Sequence, residues 1–185
     1  MGSLLPDCTI EELSVPFAAV ATDIRSGAEV VLTRGSLLAA VSASAAIPGV
    51  LPPIDIDGHT LVDGGWVDNV PVAPARTLGA HLVIAVDTSS RPQDLGPLHF
   101  TALALLLRAH EITRIHLTDE RSIHADILLV PRIGQISWAD FANIDLCIQA
   151  GRETAVTNLG RLKRRKKLRQ VTSLKGCIHP TRLVR

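Results

Sequence analysis

The sequence predicts a layered α/β fold, with a mainly parallel sheet flanked by helices, on three observations. Short apolar runs of strand length, above all Leu82 to Val86 and Asp126 to Val130, recur along the chain. They alternate with stretches of helical character, Pro71 to Leu78, His99 to Leu117 and Ala139 to Leu162, which is the order that builds α/β layers. The chain also has enough material for a core: at 185 residues and 46% hydrophobic, it should bury about 70% of the surface its unfolded form exposes.

Taken in order, Val15 to Thr22 and Glu29 to Thr33 are strands rich in Val and Ala that meet at Ser26-Gly27, a dipeptide suited to a tight turn. They form a hairpin. Ser36 to Ala46 places Leu37, Leu38, Val41 and Ala45 at helical spacing, with Ser36 as N-cap and Pro48-Gly49 as the stop. Ile47 to Pro53, with three prolines and a glycine, is a rigid irregular loop. Asp57-Gly58 turns the chain between Ile54 to Asp57 and His59 to Val62. Proline at or near the first turn opens the helix Pro71 to Leu78, and Gly79 closes it. Leu82 to Val86 is uninterrupted and apolar, the composition of a strand buried on both faces of a parallel sheet. His99 to Leu117 is a second long helix, Asp126 to Val130 another buried strand, and Ala139 to Leu162 a third helix that runs into a basic tail. No internal repeat or linker interrupts this order, so residues 1–162 are read as one unit and 163–185 as an extension.

Composition narrows the function classes. Cys8, Cys147 and Cys177 are odd in number and widely spaced, which argues against a disulfide framework and a zinc site and fits a reducing, cytoplasmic location. No apolar run approaches the ~18 residues of a membrane span. The start lacks the charged and apolar regions of a signal peptide, and Pro6 breaks the myristoylation pattern. The net charge of +1 averages an acidic body, −9 over residues 1–160, with a tail of +10 from Arg161 onward. That tail can touch anionic lipid or nucleic acid. It holds no aromatic residue from Arg161 to Arg185, so it lacks the stacking signature of single-strand binders and specific nucleic-acid binding is not expected.

The chemistry concentrates in Leu61-Val62-Asp63-Gly64-Gly65-Trp66-Val67-Asp68-Asn69-Val70-Pro71-Val72. A strand delivers Asp63 at its end, and Gly64 and Gly65 permit positive φ and a close backbone approach, so the carboxylate is held at the rim of the sheet. An aspartate that merely hydrogen-bonds its own turn is the alternative. Around this segment stand Phe17-Ala18-Ala19-Val20-Ala21-Thr22-Asp23, Leu32-Thr33-Arg34-Gly35-Ser36-Leu37, Ser42-Ala43-Ser44-Ala45-Ala46-Ile47-Pro48-Gly49-Val50-Leu51-Pro52-Pro53, Ala75-Arg76-Thr77-Leu78-Gly79-Ala80 and Val83-Ile84-Ala85-Val86-Asp87. In this order and spacing the blocks resemble the C-terminal half of bacterial patatin-like phospholipases, from about Ile10 to about Leu162.

The resemblance implies a lipid acyl hydrolase of phospholipase A or esterase type, with a Ser-Asp dyad and no cofactor. In such enzymes the aspartate of the Asp-Gly-Gly motif is the base for a serine on a Gly-x-Ser-x-Gly elbow, and a glycine-rich loop supplies the oxyanion hole. Asp63 takes the role of proton acceptor, and Pro48, Gly49, Pro52 and Pro53 line the substrate channel. The substrate is a lipid or simpler ester. A carboxylate is a weak base, so it must lie within hydrogen-bond reach of the serine and be partly desolvated.

The sequence departs from this pattern at one point: it contains no Gly-x-Ser-x-Gly and no glycine-rich oxyanion loop. In the family both lie upstream of the Phe17 block. The chain is therefore expected to be a patatin portion incomplete at its N-terminal side, carrying half a dyad and inactive alone. Strands such as Leu82 to Val86 are expected to lack neighbours and expose apolar surface, with marginal stability unless a complementary N-terminal polypeptide supplies them. The competing function is a non-catalytic remnant or a binding module whose basic tail engages anionic membrane or nucleic acid.

Other candidates carry less. His110-Glu111 with His116 six residues after His110 is not the zinc helix pattern, whose histidines are four apart. His59, His81, His99, His124 and His179 read as surface or helix-end residues. Asp87 follows a buried strand, but no Gly-x-Gly-x-x-Gly accompanies it. Asp23 is a turn carboxylate, Ser42 and Ser44 lie on a helix without a strained elbow, Trp66 and Trp138 are packing residues, and Cys147 is a small buried hydrophobe.

Overall fold

The computed structural model describes residues 5–91, 97, 100–133, 136 and 140–176. Two hairpins build its larger sheet. β1 (Ala19–Asp23) and β2 (Glu29–Leu32) pair antiparallel, Ala19 opposite Leu32 and Thr22 opposite Glu29. Gly27 in their turn takes φ +74°, the left-handed region that glycine enters without steric cost. β3 (Ile54–Ile56) and β4 (His59–Asp63) follow across a two-residue loop in which Asp57 and Gly58 have φ of +50° and +83°. Two positive φ values are what a type I′ hairpin turn requires, and Asp-Gly is suited to both. β4 also pairs with β1, so the order is β2-β1-β4-β3 with every neighbour antiparallel.

The expectation of a mainly parallel sheet is thus corrected. Short turns join antiparallel neighbours, whereas parallel neighbours need a crossover of a dozen or more residues. β5 (Ile84–Val86) and β6 (Ile127–Leu129), with α3 (Ala102–Ser122) between them, meet that condition and pair in parallel as a two-stranded sheet. Helices still alternate with strands, so the α/β class holds in its coarser form.

α1 (Leu37–Ser44) begins where its sequence indicates: Ser36 is the N-cap and its Oγ accepts from the Ala39 amide at 3.2 Å. Its alanines let the helix lie close on the sheet. Ala40 packs with Ile10, Ala19 and Leu37, and Ala43 packs with Ala21 and Leu61. Leu61 is fully buried, and a side chain of that kind contributes roughly 1.5–3 kcal/mol. α2 (Val72–Thr77) has Pro71 as its N-cap, one position before the first helical residue. Val70, Val72, Val83 and Ala85 form a further cluster, and Arg76 on α2 donates to Asp126 beside β6. The same Asp126 oxygen accepts from the Val83 amide at 2.9 Å.

β5 is one-sided rather than buried on both faces. Ala85 is buried in its cluster, while Ile84 and Val86 on the opposite face are 46% and 53% exposed. Cover reaches its neighbour, since Ile127 and Leu129 on β6 are buried and α4 (Ile144–Gly176) packs there. α4 follows a 3-10 turn, Phe141–Asn143, capped by Asp140, whose Oδ1 accepts from the Ala142 amide at 3.1 Å. It runs unbroken through the boundary at residue 162. No described helix is long and apolar enough to cross a membrane.

Candidate active site

Asp63 stands at the end of β4, opposite Ala21 of β1. Its backbone is held on both sides: the amide donates to the Ala46 carbonyl at 3.0 Å, and the carbonyl accepts from Thr22 Oγ1 at 2.9 Å. It is also the N-cap of a 3-10 turn, Gly64–Trp66, with its Oδ1 accepting from the Gly65 amide at 2.7 Å. Oδ2 has no hydrogen-bond partner among the described residues. One carboxylate oxygen therefore fixes the group, and the other meets no donor among the described residues.

The two glycines act through space rather than through φ. The glycines with positive φ are Gly27, Gly35, Gly49, Gly58 and Gly79, so the expected left-handed backbone at Gly64 and Gly65 is not found. A side chain on Gly64 would instead collide with the Val20 carbonyl, and a Cβ on Gly65 would stand 3.0 Å from Asp63 Oδ1 and 3.1 Å from Asn69 Oδ1. Gly64 serves a close backbone approach to β1, and Gly65 leaves room for the side-chain oxygens of Asp63 and Asn69.

A cleft of about 420 Å³ opens at this carboxylate, with Phe17, Val41, Ser44, Asp63, Asp68 and Asn69 in its walls. Ser44, at the end of α1, shares the cleft with Asp63, and Ser42 is not among its lining residues. Pro48, Gly49, Pro52 and Pro53 do not line it either; Gly49, Pro52 and Pro53 are exposed on the loop before β3. Phe17 and Ser44 come from the blocks that surround the motif in sequence.

Beyond Gly65 the loop is engaged by α3. The Trp66 indole stacks on His110 with ring centroids 3.6 Å apart and planes 21° from parallel. Burial holds the His110 imidazole below its ordinary pKa and the Arg114 charge adds to this, while Glu111 and Asp63 pull the other way. Asp68 is buried, and its Oδ2 pairs with Arg121 at 3.1 Å, while Oδ1 has no partner among the described residues. Burial pushes that carboxyl up, with Arg121 opposing in part. Asn69 Nδ2 donates to Ser89 Oγ at 2.9 Å, and the same oxygen accepts from Arg114 Nη1 at 3.1 Å.

The sequence singled out His110 only as a rejected zinc ligand and left Arg114 and Arg121 unmarked, because no local motif points to their contacts with the loop. Their spacing is the available signal: i, i+4 and i+11 fall on one face of a helix. Asp23 is a turn carboxylate, accepting from the Arg25 amide at 3.2 Å and from Ser26 Oγ at 2.7 Å, with His59 paired to it at 3.3 Å. Asp87 is buried and committed to the Ser89 amide and to Arg91. His81 and His124 are exposed. Trp138, Cys177, His99 and His179 lie outside the described residues.

Residues 2–76 match the family model described as patatin-like phospholipase. Over 88 residues the chain is 47% identical to an uncharacterized NTE family protein of Mycobacterium tuberculosis, a stretch covering 48% of this chain and 24% of the relative. Patatin-like phospholipase domain-containing protein 7 of Mus musculus is 42% identical over 95 residues, 50% of this chain and 7% of that protein. Patatin-like phospholipase domain-containing protein 6 of Homo sapiens is 44% identical over 89 residues, 47% of this chain and 6% of that protein. The chain spans less than a quarter of the length of the curated relatives it matches. Residues 2–76, which contain the hairpin sheet, α1 and the Asp63 motif, are thus the part of the chain that is similar to patatin-like phospholipases.

Proposed function

We propose that this chain supplies the base of a serine acyl hydrolase acting on lipid or simpler esters, with Asp63 as proton acceptor. The observation that carries the reading is the division of labour in the Asp63 carboxylate: Oδ1 is anchored by the Gly65 amide at 2.7 Å and Oδ2 faces no competing donor among the described residues. Oδ2 takes the proton of a serine hydroxyl as its Oγ attacks the ester carbonyl carbon. The oxyanion formed collapses, the alcohol leaves with the proton from Asp63, and water repeats the sequence to release the acid. Donors to the oxyanion contribute a further large part of the rate. No Gly-x-Ser-x-Gly lies within these 185 residues, so the serine elbow and the oxyanion donors come from a complementary polypeptide segment beyond them. Residues 1–162 are the patatin-type portion and 163–185 the extension.

A second reading rests on α4. The exposed side chains of Arg161, Lys163, Arg164 and Arg165 follow an exposed apolar flank of Ile144, Ile148 and Leu159. Such a helix suits an anionic membrane surface, through apolar insertion and attraction of roughly 1 kcal/mol per basic residue. Salt-sensitive sedimentation with anionic vesicles and without hydrolysis favours this binding role.

The test is hydrolysis of a short-chain chromogenic ester, by the chain alone and with a serine-elbow segment from a relative added, each with an Asp63→Asn control. Turnover that needs both the added segment and Asp63 supports the proposal. Turnover by the chain alone that survives Ser44→Ala but not Asp63→Asn would point to an unrecognised nucleophile, and turnover indifferent to Asp63 would overturn the reading.

A further inference from the structure

Three contacts tie the loop after Asp63 to a single helix. His110, Arg114 and Arg121 lie on α3 at positions i, i+4 and i+11, within about 40° of one another around the helix axis. His110 stacks on Trp66 at 3.6 Å, Arg114 reaches Asn69 through Ser89, and Arg121 pairs with Asp68 at 3.1 Å. They anchor side chains of the loop between Gly64, packed on β1, and Val70, packed in its apolar cluster. The same loop carries the Gly65 amide that holds Asp63 Oδ1. α3 also lies outside the residues that match the family model.

We propose that α3 is the positioning element of the site: His110, Arg114 and Arg121 clamp Trp66, Asn69 and Asp68 and so fix the turn that aims the Asp63 carboxylate. The functional meaning of the clamp rests on Asp63 being the working base, but the clamp itself is a matter of geometry. His110 is its sensing member. The charged groups acting on it are Arg114 and Glu111 from its own helix and Asp63 from the end of β4. The stack places its imidazole against the indole, so a proton gained there alters the emission of Trp66.

The experiment uses the full chain with Trp138→Phe, which leaves Trp66 as the sole emitter of the two tryptophans. Emission is followed from pH 5 to 8. The expected result is a titration with a midpoint below the ordinary histidine value, abolished by His110→Gln, shifted down by Asp63→Asn and shifted up by Arg114→Ala. A transition that persists in His110→Gln, or one that ignores both charge changes, overturns the proposal. If His110→Gln does not fold, His110→Phe keeps a ring on the indole without a titrating nitrogen: a flat curve supports the clamp and a persisting transition overturns it. In the complemented enzyme His110→Ala should lower kcat and leave KM in place. Turnover indifferent to Asp63, with the titration and its shifts intact, would remove the base role and leave the clamp standing.

Discussion

Gly64 lies so close to the Val20 carbonyl that a Cβ built on it would stand 2.1 Å from the oxygen and 2.7 Å from the carbon. Both atoms are backbone of β1, a strand paired on both sides, so neither can yield without disturbing the sheet. Gly64→Ala is therefore expected to destabilise the fold by about 3 kcal/mol, the upper part of the overpacking range. Gly65→Ala meets only side-chain oxygens, of Asp63 and Asn69, at 3.0 and 3.1 Å. It should cost less than about 1 kcal/mol in stability, yet turn the Asp63 carboxylate and reduce turnover in the complemented enzyme. Urea denaturation of the two variants side by side checks the order; equal losses would show that the approach to β1 is not what distinguishes them.

Arg121→Ala isolates the buried Asp68. Asp68, 4% exposed in the native chain, loses its ion pair and already has one carboxylate oxygen without a partner among the described residues. Leaving such a group unsatisfied costs about 1–3 kcal/mol, with the half-buried position of Arg121 favouring the lower half. Because burial raises the Asp68 carboxyl, the folded chain binds its proton more readily than the unfolded chain, and the penalty shrinks as pH falls. Arg121→Ala should thus be milder in acid than at neutral pH, and Asp68→Asn in the Arg121→Ala background should recover part of the loss. A deficit that is the same at every pH would mean that Arg121 acts through packing or through Glu29, its other partner at 2.8 Å.

Asp23 works in the opposite direction. Donation from Ser26 and the Arg25 amide, with His59 adding a smaller share, holds its carboxyl at about 2. The unfolded chain then takes up the proton first as pH drops, so the stability contributed by Asp23 is present above about 4 and is lost on the way down to about 2. Asp23→Asn should flatten the acid limb of a stability profile between these values and leave the neutral region nearly unshifted in slope. An acid limb of unchanged steepness would show that other carboxyls dominate.

What the sequence revealed follows from how local each feature is. The Ser36 cap, the Asp57-Gly58 turn and the Ser26-Gly27 turn depend on neighbours a few residues away, and each lies where its residue types indicate. The sheet's sense was less legible, because an apolar run such as Leu82 to Val86 states that a strand is apolar and says nothing of its partners. Asp63 was legible as a strand-end carboxylate, whereas His110 and Trp66 are 44 residues apart in the chain and meet only through tertiary packing. The role of the glycine pair was half legible. Glycine signals both free φ and close approach, and the backbone of β1 decided between them.

Ile84 and Val86 present the last test, because their exposure sets how the chain behaves when handled alone. They lie on one face of β5, two residues apart, 46% and 53% exposed, while Ala85 between them is buried against Val70, Val72 and Val83. Among the described strands β5 pairs with β6 alone, so an apolar face adjoins an open edge, a combination that favours association with another chain. Ile84→Thr with Val86→Thr keeps the β-branched shape that suits a strand and removes apolar surface already in water. The pair should change stability by less than about 1 kcal/mol and shift the chain toward monomer in analytical ultracentrifugation. If the serine-bearing segment docks on this face, the same pair should weaken complementation without altering the Trp66 titration. An unchanged association state with unchanged complementation would show that neither self-association nor the partner uses β5.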